Sequence, residues 1–280
     1  MDIKYSISKL KNSKLEEIKD SVSVEEPLEM RLKYKKNSKW EVQNISITMR
    51  TPGNDEDLII GFLFSEQIIK NVKDIESIEY QGEISGDYDL QNIIEATLSK
   101  IDNIDIAKLK RNFITNSSCG VCGKSSLDAI QVIKENKLDL SFPYVDEKII
   151  LQSPKLLINK QSEFSKTGGI HASALIDTNG NVVAIREDVG RHNALDKLIG
   201  YSISKNLLNP EKQFIACSGR LNFELVQKGL MANIGVMAGV GAPTSLAIDL
   251  AKRFDMSLLG FVKEDSFNIY SNKQRIILSS

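Results

Sequence analysis

The chain has 280 residues, with 36 Lys plus Arg against 37 Asp plus Glu, a net charge of -1, and 41% hydrophobic residues. That balance excludes a polyanion-coating protein, and apolar runs of about ten residues fall short of the roughly 20 that a membrane helix needs. The first twenty residues are charged throughout and lack the apolar core of a secretory signal, so a soluble, cytoplasmic protein of about two domains is expected, with neither nucleic-acid nor membrane partners.

In chain order, residues 1–24 are Lys/Glu/Ser-rich and read as a frayed arm. Two β-like runs, Glu29 to Tyr34 and Trp40 to Met49, flank the turn Lys35-Lys36-Asn37-Ser38 and predict a hairpin. Asn54 is placed to cap a helix from Asp55 to Glu66, whose first turn is acidic as the helix dipole favours. Further strands are expected between Ile75 and Ser99, while Asp102 to Phe113 fits helix or strand equally. From Lys148 the pattern becomes regular. A helix, Lys148–Gln161, precedes strands Gly169–Asp177 and Val182–Glu187 around an Asn179-Gly180 turn. Then follow helix Arg191–Lys205, strand Phe214–Ser218, helix Asn222–Ala232, strand Val236–Val240, helix Ser245–Phe254 and strand Ser257–Phe261. Phe267–Tyr270 adds an edge strand.

This order predicts an α/β (overall α+β) protein with a mixed sheet and helices on both faces. It resembles a cytidine deaminase-like three-layer core, preceded by a smaller β-rich domain. The divisions expected are an arm (1–24), a β-rich domain (25–115), a cysteine loop with its helix (116–147) and the core (148–280).

Three cysteines and two histidines limit the chemistry. Cys119 and Cys122 stand in a Cys-Gly-Val-Cys motif between glycines, ahead of a helical pattern carried by Leu127, Ile130, Val132 and Ile133. A helix start and Lys124 both favour thiolate. Half of a zinc knuckle is the competing reading, weakened because no second such pair exists and Cys217 stands alone. A hydrolytic zinc site would need His-x-Glu at the Arg191 helix start and a second thiol pair at the next. The chain has His192-Asn193-Ala194 and a single Cys217, so deamination is excluded and no metal site of its own is expected.

An anion site replaces it. Arg191, Arg220 and the turn Gly239-Val240-Gly241-Ala242-Pro243-Thr244 are each expected to open a helix beyond a strand's carboxyl end, where ligands bind in open α/β sheets. Free N–H groups and the dipole suit phosphate, and arginine adds charge-assisted bonds. Glu187 and Asp188 are expected to hold Arg186 and Arg191. His171 reads as a hydrogen-bonded core residue, and Cys217 as an inert buried thiol.

The motifs Ser117–Lys124, Thr167–Leu175, Arg186–Gly200 and Ser218–Leu250, with Glu25–Leu32, Thr48–Ile69 and Gly260–Ser271, resemble the FdhD family from about Glu25 to Tyr270. The resemblance implies a sulfurtransferase required for formate dehydrogenase activity. It implies sulfur received from a cysteine desulfurase and passed to molybdenum in bis(molybdopterin guanine dinucleotide), the bound substrate. It implies Cys119 as persulfide carrier, and thiol exchange makes Cys122 a candidate relay thiol. Phe261, Val262, Lys263, Glu264, Asp265 and Ser266 become the cofactor-contacting stretch, beside Arg191, Arg220 and His192 on the rim. A homodimer that meets the catalytic subunit of formate dehydrogenase is also implied. On the residues alone, either thiol could act first. A thiol–disulfide oxidoreductase and a non-catalytic cofactor chaperone stay open as alternatives.

Overall fold

A computed structural model describes residues 1–84, 88–99, 137–139 and 141–279. Cys119, Cys122, the segment Asp102 to Phe113 and the helix expected after the cysteines lie outside the described residues.

The first twenty residues do not fray. They form a hairpin, β1 (Asp2–Lys11) with β2 (Lys14–Ser23), paired through ten residues on each side. The two-residue turn Asn12-Ser13 has positive φ at both positions, matching the twist of the flanking strands. Both faces are largely solvated. The ribbon is tied down at its base, where the Ser23 hydroxyl bonds to that of Thr167 at 2.7 Å.

The second hairpin is the expected one, longer at both ends: β3 (Glu26–Lys36) and β4 (Lys39–Arg50), turning through Asn37 and Ser38 at positive φ. With β5 (Ile75–Gln81) and β6 (Ile93–Leu98) it makes a four-stranded sheet in the order β4-β3-β6-β5. Alternation puts Leu28, Met30, Leu32 and Ile94 on the inner face. There they meet Leu58, Ile59, Phe62 and Leu63 of helix α1 (Asp55–Ser65). Asn54 does precede this helix, but its side chain makes no capping bond. It contributes a left-handed backbone, φ 55°, that turns the chain into the helix.

The larger sheet has six strands, β8 (His171–Asp177), β9 (Val182–Asp188), β10 (Gln213–Cys217), β11 (Val236–Gly239), β12 (Ser257–Gly260) and β13 (Asn268–Ser271). Their order is β13-β12-β11-β10-β8-β9, with β10, β11 and β12 parallel and the other pairings antiparallel. On one face lie α4 (Arg191–Ser204), α5 (Phe223–Met231) and α6 (Ser245–Arg253), packing Leu195, Leu225 and Leu250 toward Ile215 and Met237. The other face is covered by α2 (Glu147–Lys160), through Ile150 and Leu157, against Phe214 and Ala216. A short helix that the sequence reading lacked, α3 (Ser162–Thr167), follows it. Strands β7 (Val145–Asp146) and β14 (Ile276–Ile277) form a small parallel pair.

The two sheets are joined where α1 crosses α4. A Cβ on Gly61 would lie 1.9 Å from the Asp196 carbonyl oxygen, and one on Gly200 would lie 1.9 Å from that of Asp57. Only glycine permits so close a crossing. Among the described residues no helix is long and apolar enough to cross a membrane.

Candidate cofactor-binding rim

Because β8 runs against β10, the start of β8 and the ends of β9, β10, β11 and β12 share one edge of the sheet. The loops leaving that edge are stitched by backbone bonds. The Val240 N–H donates to the Cys217 carbonyl at 3.0 Å, Gly241 to Gly219 at 3.1 Å, Phe261 to Gly241 at 3.2 Å, and Val262 to Gly239 at 3.1 Å. Stitching this close requires glycine: a Cβ on Gly241 would sit 2.8 Å from the Arg220 nitrogen. The rim is therefore fixed by backbone, leaving side chains free for a ligand.

Arg191 is the first residue of α4, behind Gly190, which supplies no side-chain cap. The helix thus presents uncapped N–H groups and its positive end to the rim. The Arg191 Nε is buried and has no hydrogen-bond partner among the described residues. Such an unmet donor costs free energy unless an acceptor arrives. His192 places its Nε2 2.9 Å from Glu224 Oε2 and 2.9 Å from Asn222 Nδ2. The hydrogen bond to His192 holds the Glu224 carboxyl below the usual range against its own burial. His171, the only other histidine, starts β8 on this same edge; a Cβ on Gly219 would come 3.2 Å from its Nδ1. Burial, then the charge of Arg191, push its imidazole below the ordinary value. Both histidines and a buried unpaired guanidinium nitrogen therefore share one edge, beside a helix N-terminus, and the arrangement suits an anion.

Behind the rim, Asp188 is fully buried and accepts from the Thr51 N–H at 3.2 Å, the Gly190 N–H at 2.8 Å and Asn193 Nδ2 at 3.2 Å. Lys197 Nζ lies 2.7 Å from it and also donates to the Thr51 carbonyl at 2.8 Å. This network fixes the start of α4 against the end of β4.

Residues 23–277 match the FdhD/NarQ family. The chain belongs to the FdhD/NarQ family. It is 40% identical over 258 residues to the sulfur carrier protein FdhD of Sulfurisphaera tokodaii, covering 92% of each chain. It is 39% identical over 273 residues to that of Saccharolobus solfataricus, covering 98% of this chain and 97% of the relative. With the FdhD of Streptomyces avermitilis it shares 40% over 261 residues, 92% and 90% of the two chains. Among solved structures, a protein of Desulfotalea psychrophila described as a candidate formate dehydrogenase accessory protein superposes with a TM-score of 0.73. That likeness covers 99% of both chains at 22% identity, and so speaks for the fold.

The structure places the sequence-predicted residues of this family member unequally. Arg191 and His192 sit on the rim at a helix start. Arg220 is exposed on the same edge but opens no helix: Asn222 caps α5, accepting from Leu225 N–H, and the helix begins at Phe223. The glycine-rich turn likewise ends before α6, which starts at Ser245. Phe261 leaves β12 with φ 53° and an exposed ring, and Lys263 to Ser266 form an exposed turn closed by a Lys263 N–H to Ser266 carbonyl bond. Val262 is 2% exposed and packs into the core, so its side chain faces away from any ligand.

Two further expectations are corrected. Arg186 is held by Asp57 at 2.9 Å and stacks on Tyr201, while Glu187 accepts from the Glu163 and Phe164 N–H groups at the start of α3. Asp188 pairs with Lys197 and leaves Arg191 free. His171 belongs to the rim. Asn222 and Glu224, which the sequence reading did not select, hold His192; an Asn followed by an acidic residue at a helix start was their only sequence signal. Cys217 is buried, its thiol pushed up to about 11 by burial.

Proposed function

We propose that this protein is a cytoplasmic sulfur carrier for formate dehydrogenase; its relatives are named sulfur carrier proteins, and the structural neighbour from Desulfotalea psychrophila a candidate formate dehydrogenase accessory protein. In this reading it takes persulfide sulfur from a cysteine desulfurase and delivers it to molybdenum of bis(molybdopterin guanine dinucleotide), held on the rim. The supporting observation is the buried, unpartnered Arg191 Nε at the uncapped start of α4. A dinucleotide substrate brings the phosphates such a site suits. The exposed Lys263–Ser266 turn and Arg220 flank the same edge. The strand order β9-β8-β10-β11-β12 fits the deaminase-like kinship read from the sequence.

Cys119 thiolate attacks the outer sulfur of the desulfurase persulfide, whose S–S bond breaks to release the desulfurase thiolate. Cys122 thiolate then attacks the inner sulfur of the Cys119 persulfide. A Cys119–Cys122 disulfide forms, hydrosulfide leaves, and the thiol pair supplies the two electrons that reduce the carried sulfur. Hydrosulfide exchanges at molybdenum for an oxygen ligand that departs as hydroxide, and a cellular dithiol resets the disulfide.

Incubation with a desulfurase and isotopically labelled cysteine, followed by peptide mass spectrometry, tests the proposal. One labelled sulfur on Cys119 is expected; label on neither Cys119 nor Cys122 defeats it. A Cys119→Ala variant that still matures formate dehydrogenase would point instead to a cofactor chaperone. Turnover of a dithiol couple with no affinity for a guanine nucleotide would point to an oxidoreductase.

A further inference from the structure

Helices α4 and α5 meet through a ring of four ionisable side chains. His192 and Asp196 stand one turn apart on α4, and Glu224 and Lys228 one turn apart on α5. Across the contact, His192 Nε2 lies 2.9 Å from Glu224 Oε2, and Lys228 Nζ lies 2.9 and 2.8 Å from the two Asp196 oxygens. With His192 charged, the signs alternate both across the helices and along each of them. The Lys228–Asp196 rung is inside, its side chains 9% and 4% exposed, while those of His192 and Glu224 are 30% and 42% exposed on the rim. From α1, Ser65 donates to Asp196 at 3.1 Å, and Glu66, the next residue, adds a carboxyl facing Lys228.

Three members of the ring keep their charge. Burial would lower the Lys228 ammonium, but Asp196 and Glu66 outweigh it and raise the group. Asp196 is pushed up by burial and drawn down by Lys228; with the ammonium on both its oxygens, it is the carboxylate of the pair. Glu224 is held low by its bond to His192. His192 therefore decides the sum: a neutral imidazole leaves one negative charge unbalanced, and an imidazolium cancels it. Glu224 and Asp196 favour the added proton, while Lys228, Arg191, the positive end of α4 and, when charged, His171 oppose it. Since Nε2 donates to Glu224, the added proton belongs on Nδ1, which has no hydrogen-bond partner among the described residues. A phosphate arriving beside Arg191 offsets the opposing charge and tips the balance.

We infer that the rim takes its anionic ligand together with one proton, gained on His192 Nδ1, and that Glu224, Asp196 and Lys228 are positioning residues that hold the resulting charge, an assignment that rests on the rim being a phosphate site. Binding then weakens as pH rises, and by reciprocity the bound ligand retains the proton.

Isothermal titration calorimetry of the full chain with guanosine diphosphate mannose tests this. Its pyrophosphate is esterified at both ends, as in the dinucleotide, and unlike a terminal phosphate has no proton to lose near neutrality. Repeating the titration in buffers of different ionisation enthalpy counts the protons gained. At pH of about 7.5, above the range in which His171 titrates, the wild type should gain at least about half a proton per ligand. Its affinity should fall about three- to tenfold between pH of about 7 and 8. His192→Gln, which keeps a donor for Glu224, should abolish the gain, flatten the profile and weaken binding at least about tenfold at the lower pH. Glu224→Gln keeps the bond and removes the charge, and should cut the gain by more than half, which lost packing alone would not do. The wild-type proton count stands even where a variant fails to fold. Binding without proton gain, or gain that survives in His192→Gln, overturns the proton coupling and leaves the phosphate rim standing. No binding by the wild type at any pH overturns the rim reading and the coupling with it.

Discussion

Asp188 and Lys197 meet at 2.7 Å with both side chains out of solvent, one at the end of β9 and the other a turn and a half into α4. Around that pair the backbone of Thr51, Gly190 and Val189 is fastened, through Asp188 and the Thr51 hydroxyl. The anion-facing start of α4 is thus held by a charge pair that touches no ligand.

Removing one partner of a buried pair strands the other. Lys197→Met should therefore destabilise the fold by about 3–5 kcal/mol, read by urea unfolding. The double replacement Asp188→Asn with Lys197→Met should recover part of the loss, since no net charge is left buried. Equal losses in the single and double variants would show that the pair does not carry the contact.

The crossing of α1 over α4 makes a steric prediction. Gly61→Ala or Gly200→Ala must push the helices apart, because the new methyl would overlap a carbonyl oxygen at 1.9 Å. Either should cost about 1–3 kcal/mol or more, seen as a lower Tm, with the effect far smaller at the open position Gly169.

The chain's two histidines make the rim readable by NMR. His171 should titrate below its ordinary 6.5 in the free protein, held down by burial and Arg191. The sign follows from linkage. Between 6.5 and the lower folded value the unfolded chain binds more protons, so the His171 contribution to stability is intact above 6.5 and is lost as pH falls through that window. Guanosine diphosphate bound at the rim should raise the His171 midpoint, and Arg191→Met should weaken both the binding and that rise. A midpoint indifferent to the nucleotide would place the anion elsewhere.

Cys217 should be a spectator. Its thiol, raised to about 11 and enclosed beside Ser173, should resist alkylation at neutral pH until the protein is unfolded, by peptide mapping. Cys217→Ser should leave sulfur loading unchanged; loss of loading in that variant would reassign the carrier.

The sequence by itself determined most of the local architecture. Period-two alternation and an Asn37-Ser38 turn set the β3–β4 hairpin, and strand–helix punctuation placed Arg191 at a helix start within a residue or two. These signals are short-range, because each element's own side-chain period records which face is buried. The first hairpin escaped that reading since neither of its faces is buried: its register comes from the turn Asn12-Ser13 alone. Only the tertiary structure decided who pairs with whom. Arg186 found Asp57, 129 residues away, and Asp188 found the Thr51 N–H, 137 away, although acidic and basic neighbours stood beside them in the chain. Successive strand residues point to opposite faces, so adjacent charges on β9 are carried to different surroundings, and the topology of the two sheets chooses their partners. The same cause turned Val262 inward, brought His171 to the rim and left the Arg191 Nε unpaired.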